Sequence, residues 1–183
     1  MKWLSLCKQR TNCFGFLREA AGKEKIIQAI NALHTYMPSQ NEKMPFQIDY
    51  HDFSDWDFRR KIFDMTWTPE SQGESLPNPQ TLAPELLILS PRNDGNDLEM
   101  GMAAMFLAYQ FTEMGLSYGF CACFDKDELH AFYGKKVRLL IGVGYSSGDT
   151  YINPFTEQVC KTPQRKYRSR RPKQHEYTGG LYA

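Results

Sequence analysis

Residues 98–115 read LEMGMAAMFLAYQFTEMG, and the architecture of the chain follows from them. From Met100 to Phe111 apolar side chains fall on nearly every side of a helical wheel, so the helix must be buried all round, in a core or at a subunit interface. Gly115 supplies its stop. Upstream, ELLILS (85–90) is a continuous apolar run between Pro84 and Pro91, the pattern of a central strand. KEKIIQAINALHTY (23–36) spaces Ile26, Ile27, Ile30 and Leu33 as an amphipathic helix, which Pro38 ends. PFQIDYH (45–51) alternates as a strand, with Phe46, Ile48 and Tyr50 on one face. A helix capped by Ser54 should follow, through Arg59, Ile62 and Phe63 to about Trp67, and then a loop from Thr68 to Pro79. Downstream, SYGFCACF (117–124) reads as extended and KDELHAFYG (126–134) as a short helix stopped by Gly134. KVRLLIGVGY (136–145) reads as a strand, and IGVGYSSG (141–148) as its exit and turn. The order predicts a sheet covered on both faces by helices.

A chain of 183 residues with this composition fits a single domain over 1–183 with a real core. The start, MKWLSLCKQR, has no apolar stretch long enough for a secretory signal, and no span reaches the roughly 20 apolar residues of a membrane helix. A soluble, cytoplasmic protein with no membrane partner is expected. The five cysteines, at 7, 13, 121, 123 and 160, have no framework spacing, which suits reduced thiols. Cys121 and Cys123 form C-x-C without a second pair, and the four histidines (34, 51, 130, 175) lack metal spacing, so no metal site is expected. No phosphate-binding loop, nucleophile elbow or zinc-protease motif is present.

Charge is uneven. From Lys161 onward the tail carries about +6 and the rest of the chain about −5, with the densest cluster in RKYRSRRPK (165–173). Three readings are open: a solvated terminus, a nucleic-acid patch, or a clamp on the phosphate of a bound cofactor.

Taken in order, MPSQNEKMPF after the first helix, APELLILS, the buried helix running into MGLSYGFCACFD, VRLLIGVGY and RSRRP resemble the nitroreductase family of FMN-dependent oxidoreductases. In that family a helix runs into a Pro-Ser-x-x-Asn-x-Gln-Pro-Trp segment and a strand. An Ala-Pro then precedes a buried strand, and a core helix ends in Gly-Leu before a Phe-Asp turn, a strand ending in Gly-Tyr and a basic pair before Pro. The resemblance spans about Arg10 to Pro172 and implies the nitroreductase-like α+β fold with a central mixed or antiparallel sheet flanked by helices on both faces, a homodimer, and FMN between the subunits.

It also implies the site. The family's Arg-x-Ser-x-Arg/Lys-x-Phe segment, which grips the flavin phosphate and pyrimidine, corresponds to RTNCFGF (10–16), which keeps Arg10 and Phe16 and puts Thr11, Asn12 and Phe14 at the flavin. Asn12 replaces the usual Ser, and Phe14 the second basic residue, removing a cation that would stabilise reduced flavin. Pro38, Ser39, Gln40 and Asn41 correspond to the segment lent by the partner subunit, with Glu42 at the usual Asn position. Ala122 and Cys123 fall where a backbone N–H meets flavin N5, and Arg168 and Arg170 match the pair that reaches the phosphate. Between Ser90 and Leu98 only PRNDGND intervenes, where many members insert covering helices, so an open site is expected.

The activity implied is reduction of a small-molecule electron acceptor, such as a quinone or nitroaromatic, by NADH or NADPH through FMN. No catalytic side chain is needed, because flavin N5 carries the hydride. One alternative is a flavin-binding protein with little turnover or a specialised flavin reaction. Another is a nucleic-acid-binding module using the basic tail with Tyr167, against which counts the absence of any accompanying motif.

Overall fold

The computed structural model describes residues 6, 12–38, 44–67, 78–92, 97–148 and 150–162. The amphipathic spacing at 23–36 forms helix α1 (Lys23–Tyr36), burying Ile26, Ala29 and Leu33. Strand β1 is Phe46–His51. The next helix differs from expectation at both ends. Ser54 is not its cap but sits inside a 3-10 turn (Phe53–Asp55), where its N–H donates to the Asp52 carboxylate at 2.8 Å. Helix α2 then spans only Trp56–Asp64. It stops short of Trp67 because the following backbone pairs elsewhere: Trp67 N–H donates to the Cys123 carbonyl at 3.0 Å, and Asp125 N–H to the Met65 carbonyl at 3.1 Å.

Strand β2 (Glu85–Pro91) is interior, as its unbroken apolar run predicts. Helix α3 is Asp97–Glu113, closed by Gly115 at φ 73°, with Leu116 N–H reaching back to the Phe111 carbonyl at 2.8 Å. Strand β3 (Ser117–Cys121), helix α4 (Lys126–Tyr133) and strand β4 (Leu139–Gly144) follow. The four strands order as β1-β2-β4-β3, and every pair is antiparallel. Alternation splits the core. Leu87, Leu89, Ile141 and Val143 face α1 and α3, whereas Leu86, Ile88 and Leu140 face Ile62 of α2 and Leu129 of α4. Helices therefore cover both faces, as expected.

Three features depart from the sequence reading. A 3-10 turn, Pro79–Leu82, lies fully buried at the end of the expected loop. Gly142 and Gly144 lie inside β4, as the strand reading of 136–145 has them, and a Cβ on Gly142 would meet the Gln80 carbonyl at 1.9 Å. Ahead of the basic tail, which beyond residue 162 lies outside the described residues, β5 (Thr150–Ile152) and β6 (Val159–Lys161) form a hairpin that the sequence reading did not place. Helix α3 is also not buried all round within one chain. It buries Met100, Ala103, Ala104, Leu107, Ala108 and Phe111 but leaves Gly101 and Met102 exposed. Among the described residues no helix is long and apolar enough to cross a membrane.

Candidate functional site

Of the expected site residues, the outer edge of β3 brings together Asn12, Ala122 and Cys123, with Phe14 just past it. The N-terminal segment runs parallel to it at Asn12 and Tyr118. Cys13 N–H donates to the Tyr118 carbonyl at 2.6 Å, and Phe120 N–H donates to Asn12 Oδ1 at 2.8 Å. Alternate amides of β3 thus point outward, and Ala122 continues that series one step beyond the strand. Ala122 is exposed, and its N–H has no partner among the described residues. Cys123 faces the other way, its carbonyl taken by Trp67. A cavity of about 330 Å³ opens beside Ala122, lined also by Asp97, Met100, Gly101, Lys126 and Arg138.

Past Asn12 the segment turns over the ends of β3 and β4. Phe16 is buried with Cys13 and Ala83, Leu17 N–H donates to the Tyr145 carbonyl at 2.8 Å, and Ser147 N–H to the Gly15 carbonyl at 3.0 Å. Phe14 between them is half-buried and joins none of the core clusters. Gly15 has a positional reason: a Cβ there would meet Thr162 Cγ2 at 2.6 Å and Ser147 Oγ at 2.7 Å. That contact brings the last described residue of the chain against the segment carrying Asn12 and Phe14.

Pro38 does not share this edge. It lines a groove of about 460 Å³ with Met37, Leu6, Met102, Phe106 and Tyr109, along the exposed side of α3. Arg10, Thr11, Ser39, Gln40, Asn41, Arg168 and Arg170 lie outside the described residues.

Two residues that sequence reasoning missed build the support. Gln80, in the 3-10 turn and 1% exposed, donates through Nε2 to Asn12 Oδ1 and to the Cys13 carbonyl, both at 3.1 Å. Arg59 of α2 is wholly buried and donates to the carbonyls of Thr81 (2.7 Å), Ala83 (2.6 Å), Pro84 (3.3 Å) and His51 (3.2 Å). Burial lowers its pKa to about 10, and the carboxylates of Glu85 and Asp52 oppose that shift. The turn that carries Gln80 is thereby fastened to α2 and pressed onto the sheet, where Gly119 and Gly142 pair with each other and leave room for it. A signal did exist. Asn78-Pro79 is a turn start, and glycines inside strands mark close backbone approach.

Burial keeps two thiols of this region, Cys13 and Cys121, in the protonated form. It raises the Cys13 thiol, which donates to the Gly15 carbonyl at 2.9 Å, and pushes Cys121 up to about 12.

The fold is similar to that of solved nitroreductase family proteins. One from Clostridium novyi superimposes with a TM-score of 0.67 at 16% identity, over 80% of this chain and 87% of that one. One from Streptococcus pneumoniae gives 0.66 at 18% identity, over 87% and 100%. An iodotyrosine deiodinase bound to FMN and 3-iodo-L-tyrosine gives 0.65 at 19% identity, over 79% and 90%. No protein-family model and no curated protein matches the chain. The chain has the nitroreductase-like α+β fold.

Proposed function

We propose that this chain is an FMN-dependent oxidoreductase that passes electrons from NADH or NADPH to a small-molecule acceptor, such as a quinone or nitroaromatic. It would work in the cytoplasm as a homodimer of one-domain subunits. The observation that carries the reading is the outer edge of β3, which on this fold offers side by side the Asn12 side chain and the Ala122 N–H, unpartnered among the described residues. Bound FMN would supply hydride transfer at its N5 atom.

The chain's own residues hold and orient. Ala122 N–H would meet N5, and Cys123 would narrow that approach. Asn12, with Thr11, would meet the pyrimidine edge, with Phe14 where a cation is usual. Arg10, Arg168 and Arg170 would clamp the phosphate, since several guanidinium forks suit a dianion. The contact of Thr162 with Gly15 supports this clamp: six residues of chain from Thr162 to Arg168 extend to roughly 20 Å, enough to return along the edge. The apolar groove on α3 suits a second copy, which would bring its own Pro38, Ser39, Gln40 and Asn41 to the site.

An absorbance spectrum of the purified protein tests the reading, with a flavin band expected. Sedimentation as a monomer with FMN bound would remove the dimer. Replacing Arg168 and Arg170 by Ala should weaken FMN by roughly 2 to 4 kcal/mol and leave riboflavin unmoved. Equal losses for both would place the tail elsewhere. The second reading, a flavoprotein with little turnover or a specialised reaction such as the deiodinase fold relative performs, is favoured by Phe14 in place of a cation. NADH oxidation with menadione separates the two.

A further inference from the structure

We infer that Gln80 is a positioning residue that holds the Asn12 amide with its NH₂ group facing out of the β3 edge, so that the ligand meets a donor there; this rests on the flavin reading above. Two main-chain groups decide the orientation, because each has only one possible role. Phe120 N–H can only donate, and it lies 2.8 Å from Asn12 Oδ1. The Cys13 carbonyl can only accept, so the Gln80 group 3.1 Å from it is the NH₂, and that same group reaches Asn12 Oδ1 at 3.1 Å. Both lone pairs of Oδ1 are thereby engaged. Asn12 Nδ2 keeps two N–H donors and has no partner among the described residues.

Turning the Asn12 amide over would set NH₂ against two donors, one on a fully buried side chain, and would leave those donors unsatisfied. Gln80 cannot yield. Its N–H donates to Asn78 Oδ1 at 3.0 Å, and its side chain crosses Gly119 so closely that a Cβ would come within 2.9 Å of Cγ and Nε2. An outward donor favours acceptor atoms, and favours them more as negative charge grows on them. At a site where Phe14 replaces a cation, Gln80 acting through Asn12 helps hold the flavin potential up.

The test uses the full chain and three readouts: FMN affinity, riboflavin affinity and the two-electron potential. Gln80→Met keeps the length and removes the donor. Both dissociation constants should rise about tenfold together, because the phosphate is not involved. The reduced form should lose about a further tenfold, lowering the potential by about 30 mV. Asn12→Asp keeps both inward acceptor contacts and turns an oxygen outward, so both flavins should weaken about a hundredfold. Lost affinity with an unchanged potential in Gln80→Met would make Gln80 merely structural and overturn the inference. So would Asn12→Asp binding flavin like the wild type, and this variant decides alone if Gln80→Met fails to fold. A wild type that takes up neither flavin overturns the flavin reading and this inference with it. A wild type that binds flavin beside unmoved variants overturns only the role of Gln80.

Discussion

The two edge strands of the sheet are fastened in opposite ways. At β1 the closure is side chain to side chain. The Asp49 carboxylate accepts from Tyr133 of α4, from Lys135 at 3.1 Å and from Gln47, while His51 stacks on Phe58 at 4.3 Å and reaches Asp55 at 2.9 Å. At β3 the closure is mostly main chain, with a single amide side chain, Asn12, let into the ladder. The Asp49 carboxylate is spent on its neighbours, whereas at β3, among the described residues, the Ala122 N–H stays directed outward beside Asn12. The lesson is that the edge with less side-chain chemistry is the better candidate site.

Four changes would break or sharpen that contrast. Arg59→Met should act most strongly, since four carbonyls around the 3-10 turn lose their donor, and should cost roughly 3 to 5 kcal/mol in denaturant unfolding. A small shift would mean that the turn is held by packing alone. Gly142→Ala should cost roughly 1 to 3 kcal/mol by lifting the turn from the sheet, and should weaken flavin binding with it. Unchanged flavin affinity in a destabilised Gly142→Ala protein would separate the turn from the β3 edge.

Asp49→Asn belongs to the other edge. It should cost about 1 to 2 kcal/mol at neutral pH and leave flavin binding alone. Burial pushes the Asp49 carboxyl up, but hydrogen bonds from Tyr133, Gln47 and Lys135 and the Lys135 charge outweigh it, so its pKa lies below the ordinary value. A folded-state pKa that is depressed gives stability present above the unfolded pKa and lost as pH falls through the folded one. Melting curves of the wild type should therefore fall off in acid, and those of Asp49→Asn should fall off less. Equal acid profiles would remove Asp49 from the account. Arg18→Ala breaks an exposed ion pair with Glu157 and should change stability by less than about 0.5 kcal/mol. A larger loss would show that the β5–β6 hairpin leans on that pair.

Periodicity along the chain was enough for the helices at 23–36 and 126–133, for the interior strand at 85–91 and for the stop at Gly115, because each depends on neighbours within a few residues. The ordered motifs pointed further, to the nitroreductase-like fold, while the flavin roles they suggest for Asn12, Phe14, Ala122 and Cys123 await the binding experiments. What lay beyond reach was whichever contact has its partner far along the chain. Gln80 meets Asn12 across 68 residues, and Arg59 meets the Thr81 and Ala83 carbonyls across 22 and 24. A glutamine and an arginine read one at a time are surface residues. Only when the sheet brings Gly119 beside Gly142 does a buried place exist for the turn, with carbonyls for Arg59 and an amide oxygen for Gln80. The outward face of Asn12 was decided there too, because an amide has two ends and local sequence does not say which of them meets a donor.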